Sequence, residues 1–351
     1  MSTKRTLDNF FTPPLVSIKK RRLSVPDADE LVACSVSHVP PSEHPTYPFA
    51  VAQLPAPLLA QFDYLPSADP RHIADQPDLD LLYYQPFLPR DLATAYFNHL
   101  RQSLFFYRVT YPIKRGPVET IIRTPRYTTV FGLDDTALFS STGDAGSILD
   151  ARTKQPVPSS AYKCRPRPLP GCLDALRRAT EATTGRQWNF CLVNYYAGGA
   201  DSISYHSDDE RFLGPDPAIA SFSFGATRDF LMKHKPSATE TGLSSIEGAG
   251  KGAQTIARDK PLKLPLASGD MVLMQGATQA NWLHSIPKRA GRDADKGRIN
   301  ITFRRALVRG GTENYYRYNV GDGGVFKWNE ASQEMTPWDA KAKQDEDVKV
   351  G

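Results

Sequence analysis

Residues 194–210 read NYYAGGADSISYHSDDE, and the chain can be read outward from them. The run ends in an H-x-D pair, His206 and Asp208, reached through a stretch that alternates apolar and polar residues. Alternation of period two is strand-like, and residues two apart on a strand project to the same face. The spacing therefore predicts an imidazole and a carboxylate on one side of a sheet. With a second histidine from elsewhere they make the three-ligand set of a non-haem Fe(II) site.

On either side of this stretch the pattern is mostly β. Upstream, the apolar Phe190-Cys191-Leu192-Val193 reads as a strand, as do Leu81–Tyr84 and the β-branched, aromatic run Tyr127–Gly132. Downstream, Ala218–Gly225 and Arg228–Met232 read as two strands paired around a turn. Leu262–Leu266, Met271–Met274, Trp282–Pro287 and Arg298–Arg304 continue the series. Many short strands separated by turn signals predict a β-sandwich or jelly roll. Two helices precede most of it. One opens at Leu88-Pro89-Arg90-Asp91 and runs to about Ser103, with Leu92, Tyr96, Leu100 and Leu104 on one face. The other runs from Gly171 to Thr184 and is capped by Gly185. The expected class is mainly β with flanking helices (α+β), the two helices buttressing one sheet. Residues 134–170 read as a surface loop.

The domain organisation predicted is a tail over 1–80, a folded domain over 81–310 interrupted by a flexible Ser/Thr/Gly/Ala-rich insertion at about 236–260, and a C-terminal extension over 311–351 that is charged past Pro337 and frays at its end. The tail is rich in Pro, Ser and Ala and lacks sustained periodicity, so disorder is expected. It carries two short islands. In residues 4–11, KRTLDNFF, one helical turn would present Leu7, Phe10 and Phe11 together. Adjacent aromatics with no core to join suit a partner's pocket. Residues 19–22, KKRR, are four consecutive cations, which suit an acidic receptor groove and read as a nuclear-import signal.

Composition narrows the class. The net charge is +5, compatible with a polyanionic partner. The four cysteines, Cys34, Cys164, Cys172 and Cys191, form no C-x-x-C pair and are too sparse for a disulfide scaffold. No apolar run approaches the roughly 18 residues of a membrane span, and there is no signal-peptide core near the N-terminus. The expectation is an intracellular monomer that does not engage membrane.

His206, Asp208 and the later His284 are the candidate metal ligands. Three ligands on one face of an octahedron leave the opposite face open for a cosubstrate, water and O2. In Arg298–Arg304, the residues Arg298, Asn300, Thr302 and Arg304 alternate and share a face. Two guanidiniums pointing into a sandwich are costly without anions, and a dicarboxylate answers that cost by paired hydrogen bonds. Residues 114–132 place the cations of 114–126 beside the aromatics Tyr127 and Phe131, which fits either a nucleic-acid surface or a half-buried hairpin with solvated charges.

Five motifs in order, Asn194-x-Tyr196, HSDDE (206–210), SFGATRDF (223–230), WLHSIP (282–287) and RINITFR (298–304), resemble the AlkB family of Fe(II)/2-oxoglutarate dioxygenases, in its DNA-repair branch, over about Leu81 to Val308. The resemblance implies a double-stranded β-helix with iron on His206, Asp208 and His284. It implies 2-oxoglutarate held by Arg298, Asn300 and Tyr196 at its distal carboxylate, with Arg304 and Asn194 near the iron-bound end. The implied activity uses O2 to demethylate 1-methyladenine and 3-methylcytosine in DNA, releasing formaldehyde, succinate and CO2, with the damaged base flipped into the pocket. Glu210 is then the candidate contact to the base's exocyclic amino group. Asp209 is expected to anchor Arg126 or another basic side chain. Phe131 is the candidate stacking ring, and Lys233 and Lys235 are candidate phosphate contacts. Residues 4–11 resemble the box that docks on the replication sliding clamp, with Lys4 where that motif carries Gln. An RNA demethylase of the same chemistry and a catalytically lapsed, clamp-tethered binding protein are the alternatives.

Overall fold

Strand periodicity places much of the site, including His284 and the residues of Arg298–Arg304. The computed structural model describes residues 39–65, 69–140, 146–236, 260–291 and 295–339, and from Pro40 on they form one compact unit. A major sheet runs in spatial order Arg71–Ile73, Leu81–Tyr84, Met271–Met274, Ile219–Gly225, Arg298–Arg304, Phe190–Tyr196, Tyr127–Gly132, Phe106–Tyr107, Val325–Asn329, Glu334–Pro337. A minor sheet runs Ile203–His206, Trp282–Ile286, Arg228–His234, Leu262–Leu266. All pairings in both are antiparallel. The jelly-roll expectation and the two buttressing helices hold.

The central strands of the major sheet are buried on both sides, but each face has its own chemistry. On Arg298–Arg304, Ile299, Ile301 and Phe303 are fully buried among other apolar side chains, while Arg298, Asn300, Thr302 and Arg304 line a cavity. On Ile219–Gly225 the apolar set is Ala220, Phe222 and Phe224, and Ser221 opens on the cavity. The apolar face is covered by helices Arg90–Ser103 and Gly171–Thr184. Tyr96 stacks edge-on to Phe224 at 5.2 Å and donates its hydroxyl to the Cys172 carbonyl at 2.9 Å, joining the two helices. Leu92, Tyr96 and Leu100 are almost completely buried, each contributing on the order of 2 kcal/mol. Asp91 and Asp174 sit in the first turns, where negative charge complements the helix dipole.

Several boundaries differ from the sequence reading. Residues 39–80 are not a structureless tail: Val51, Leu54, Leu58, Phe62 and Leu79 are buried in the core, and Arg71–Ile73 pairs with Leu81–Tyr84. The prolines there excluded long helices without preventing a packed, irregular wrap. The extension after 310 also belongs to the fold, with helix Glu313–Asn319 and hairpin Val325–Asn329/Glu334–Pro337 completing the major sheet. The 134–170 loop contains the hairpin Ala137–Phe139/Ile148–Asp150. Strands Ile219–Gly225 and Arg228–His234 do not pair with each other; they lie in different sheets. The 4–11 and 19–22 islands, nearly all of the insertion and residues 340–351 lie outside the described residues.

Gly225 makes that crossing. Its φ is +86°, and a Cβ there would sit 2.6 Å from the Gly297 carbonyl oxygen and 2.7 Å from Phe97 Cε2. Gly225→Ala should destabilise the fold by about 2 kcal/mol or more. Gly324→Ala, where an added Cβ meets nothing within 4 Å, should be near neutral; urea unfolding of the two variants checks the contrast.

Candidate active site

His206 is the last residue of its strand and pairs directly across the minor sheet with His284 on Trp282–Ile286. Their ring centroids are 4.2 Å apart. His206 Nδ1 lies 2.9 Å from the Ser204 carbonyl. A carbonyl only accepts, so Nδ1 carries the proton and Nε2 is left as a ligand. Asp208 lies beyond the strand end, so the pleat does not aim it. Instead its backbone N–H donates to Gln279 Oε1 at 2.9 Å, and its carboxylate meets Arg304 Nη2 at 2.9 Å. Its oxygens stand 3.9 Å from His206 Nε2 and 3.7 Å from His284 Nε2. One ligand atom from each of the three side chains falls within 4.8 Å of the others.

The electrostatics suit a cation. Burial alone would raise the Asp208 carboxyl, but Arg304 and the two imidazoles outweigh it and hold it below the usual range. Burial and the neighbouring His206 push His284 down to about 3 despite Asp208, so its ring is a neutral ligand. Two imidazoles and one carboxylate are the donor set of a non-haem iron centre.

Beside this cluster a cavity of about 930 Å3 opens between the sheets. Arg298, 1% exposed, donates Nε to Ser223 Oγ at 2.7 Å and lies over the Tyr196 ring, 5.2 Å from its centroid. Burial lowers it to about 10, so it remains a cation at neutral pH. Its buried Nη1 has no hydrogen-bond partner, nor do Nε and Nη1 of Arg304. Unpartnered guanidinium nitrogens beside a cavity call for an anion, and a dicarboxylate fits them. Asn300 is less free than the sequence suggested, because Nδ2 already donates to Ser221 Oγ at 3.0 Å and to the Phe222 carbonyl at 2.7 Å. Asn194 faces it and accepts from Arg126 Nε at 2.9 Å, so a polar chain runs from the sheet to the cavity wall.

Glu210 also lines the cavity. Burial and the nearby Asp208 raise its carboxyl. Asp209 does anchor a basic side chain, Lys235 at 2.7 Å, rather than Arg126, which Asn194 engages. Lys233 sits 4.3 Å from the Tyr205 ring centroid, at the exposed side of its strand. Phe131 is not a stacking ring for a substrate: it is fully buried against Phe105 and Tyr47 and does not line the cavity. It pairs with Cys191, whose side chain is buried on the helix-covered side, whereas Leu192, Asn194 and Tyr196 line the cavity. The reading missed Tyr315, which donates to Glu210 Oε1 at 2.7 Å, and Gln279. The aromatic-rich 315–318 run is the signal that flags the former.

Comparison with known proteins agrees with this geometry. Residues 80–304 match the family model described as 2OG-Fe(II) oxygenase superfamily. The chain is 34% identical over 233 residues to DNA oxidative demethylase ALKBH2 of Arabidopsis thaliana, covering 65% of this chain and 67% of that protein. It is 38% identical over 149 residues to the Homo sapiens protein of the same name, covering 42% of this chain and 51% of the relative. It is 41% identical over 133 residues to the Homo sapiens alpha-ketoglutarate-dependent dioxygenase alkB homolog 3, covering 38% and 41%. The matches to the two human relatives thus span about half of those proteins or less. With three iron-type ligands, an anion-seeking arginine and the matching family model, the chain belongs to the 2OG-Fe(II) oxygenase superfamily, whose chemistry runs on Fe(II), 2-oxoglutarate and O2.

Proposed function

We propose that this protein is a DNA-repair dioxygenase of the nucleus that oxidatively removes methyl groups from ring nitrogens of damaged bases, 1-methyladenine and 3-methylcytosine foremost. The observation that carries the reading is Glu210 Oε2, a buried acceptor with no partner, in the same cavity as the three metal ligands. The damaged adenine or cytosine presents nitrogen-bound hydrogens beside its methylated ring nitrogen, and an unpaired carboxylate oxygen is their complement. The names of the relatives above support the same substrate class.

His206, Asp208 and His284 hold the metal in this reading. Arg298, over Tyr196, takes the distal carboxylate of the cosubstrate, and Arg304 keeps Asp208 ionised and fixed. Bound there, Fe(II), 2-oxoglutarate and O2 supply the hydroxylation of the methyl carbon, with succinate and CO2 released. The N-hydroxymethyl group then loses its hydroxyl proton, the C–N pair returns to the ring nitrogen, and formaldehyde leaves. The base reaches the cavity flipped from its stack, a step that is cheapest for a base that cannot pair. Lys233, on the minor-sheet strand Arg228–His234, and Lys235, just past its end, would contact phosphates. Leu7, Phe10 and Phe11 would tether this monomeric enzyme to the sliding clamp. No helix among the described residues is long and apolar enough to cross a membrane.

Oligonucleotides carrying one methylated adenine or cytosine, as single-stranded DNA, duplex DNA and RNA, should release formaldehyde in strict dependence on 2-oxoglutarate, with DNA preferred. His206→Ala should abolish release, and an inactive wild type or an RNA preference would overturn the reading. Arg298→Ala should raise the half-saturating 2-oxoglutarate concentration by about 10- to 100-fold, the worth of a charged hydrogen-bond pair, while oligonucleotide binding stays unchanged in a fluorescence-anisotropy titration. Replacing Phe10 and Phe11 together by Ala should eliminate clamp binding in surface plasmon resonance, with formaldehyde release from free oligonucleotides unaltered.

A further inference from the structure

The segment after residue 304 lies outside the stretch that matches the family model, yet it supplies one wall of the cavity through Val308, Gly310, Gly311, Tyr315 and Tyr318. It is fastened along its length. Leu307 N–H donates to the Phe212 carbonyl at 2.8 Å, and Gly310 N–H to Asp134 Oδ2 at 3.0 Å. Gly311 lies so close to Phe212 that an added Cβ would stand 2.2 Å from its Cβ. Helix Glu313–Asn319 is then held from the strand side. Thr128 Oγ1 donates to the Asn319 carbonyl at 2.5 Å, and the fully buried Tyr316 donates to the Gly132 carbonyl at 2.9 Å.

Tyr315, next to that anchor, faces the site. Its ring packs edge-on against Phe190 and Phe212 at 5.5 and 5.7 Å and lies under Arg304, whose Cζ is 4.7 Å from its centroid. Its hydroxyl donates to Glu210 Oε1 at 2.7 Å and reaches Asp208 Oδ1 only at 3.5 Å. Glu210 sits just beyond the metal-ligand loop, on the residue before a single 3-10 turn, Arg211–Leu213. Its carboxylate makes no capping hydrogen bond to that turn. One oxygen is committed to Tyr315, and the other, Oε2, is buried beside the cavity without a partner.

We infer that Tyr315 is a positioning residue for substrate selection: its hydroxyl holds Glu210 so that Oε2 accepts a hydrogen from the exocyclic amino group of the methylated base and repels a base that presents a carbonyl there. The inference rests on the function proposed above. It makes the C-terminal segment part of the base-reading machinery, because the group that orients the reading carboxylate comes from it.

The test compares oligonucleotides carrying 3-methylcytosine, which has an amino group at C4, with 3-methylthymine, which has a carbonyl there. Tyr315→Phe keeps the ring and its packing and removes only the hydroxyl. It should lower kcat/KM for 3-methylcytosine about tenfold, the size of a hydrogen bond to a charged group, without lowering that for 3-methylthymine, so that discrimination collapses. Glu210→Gln should lose the same preference, and the double variant should lose little more, the non-additivity expected of residues acting as a unit. The same loss should appear in anaerobic equilibrium binding, where no turnover occurs, while half-saturating Fe(II) and 2-oxoglutarate stay within about twofold of wild type. Unchanged discrimination in Tyr315→Phe overturns the inference and leaves the functional reading standing. An equal loss on both bases with weakened Fe(II) binding also overturns it, placing the hydroxyl's effect on Asp208. A wild type inactive on every methylated base overturns both.

Discussion

Two fully buried guanidiniums on one central strand set the terms for the rest of this molecule. Arg298 and Arg304 are 1% and 2% exposed, and charges so deep are tolerated only when compensated. Arg304 is compensated within the chain by Asp208, and that ion pair helps hold a loop carboxylate beside two histidines from the other sheet. Arg298 is compensated only in part, by Ser223 and the Tyr196 ring. The sheet thus stores an unmet demand for negative charge, of the kind a dicarboxylate can meet.

Much of this was legible because strands carry a two-residue code. The alternation in Arg298–Arg304 separates cavity residues from core residues, and the structure follows it at every position. The same code shows why Phe131 fails as a substrate contact. In the Tyr127–Gly132 strand it pairs with Cys191, whereas Thr128, one strand face away, pairs with the cavity-lining Asn194. Aromatic character alone suggested a stacking ring; parity decides against it. Asp208 shows the opposite limit. Its place depends on a loop fastened by Gln279 and Arg304, and no local period encodes contacts between residues so distant in sequence.

The ends of the chain were the least legible. Proline-rich residues 39–80 pack by scattered apolar anchors such as Val51 and Phe62, which lack the periodicity that betrays a helix or strand. The segment after 310 reads only as an extension with a frayed end, yet Tyr316 is fully buried and its neighbour Tyr315 reaches the site. A helix of seven residues is too short to show an apolar stripe, so its two faces could be told apart only by what surrounds them.

The pairing of His206 with His284 across the minor sheet couples metal chemistry to strand alignment. If Trp282–Ile286 slipped by one residue against its neighbours, His284 would turn to the opposite face and the ligand set would break. Only the correctly registered sheet can bind the ion with all three ligands, so the ion adds its binding free energy to that alignment alone. A bound ion would thus favour this register over the alternatives that short antiparallel strands allow.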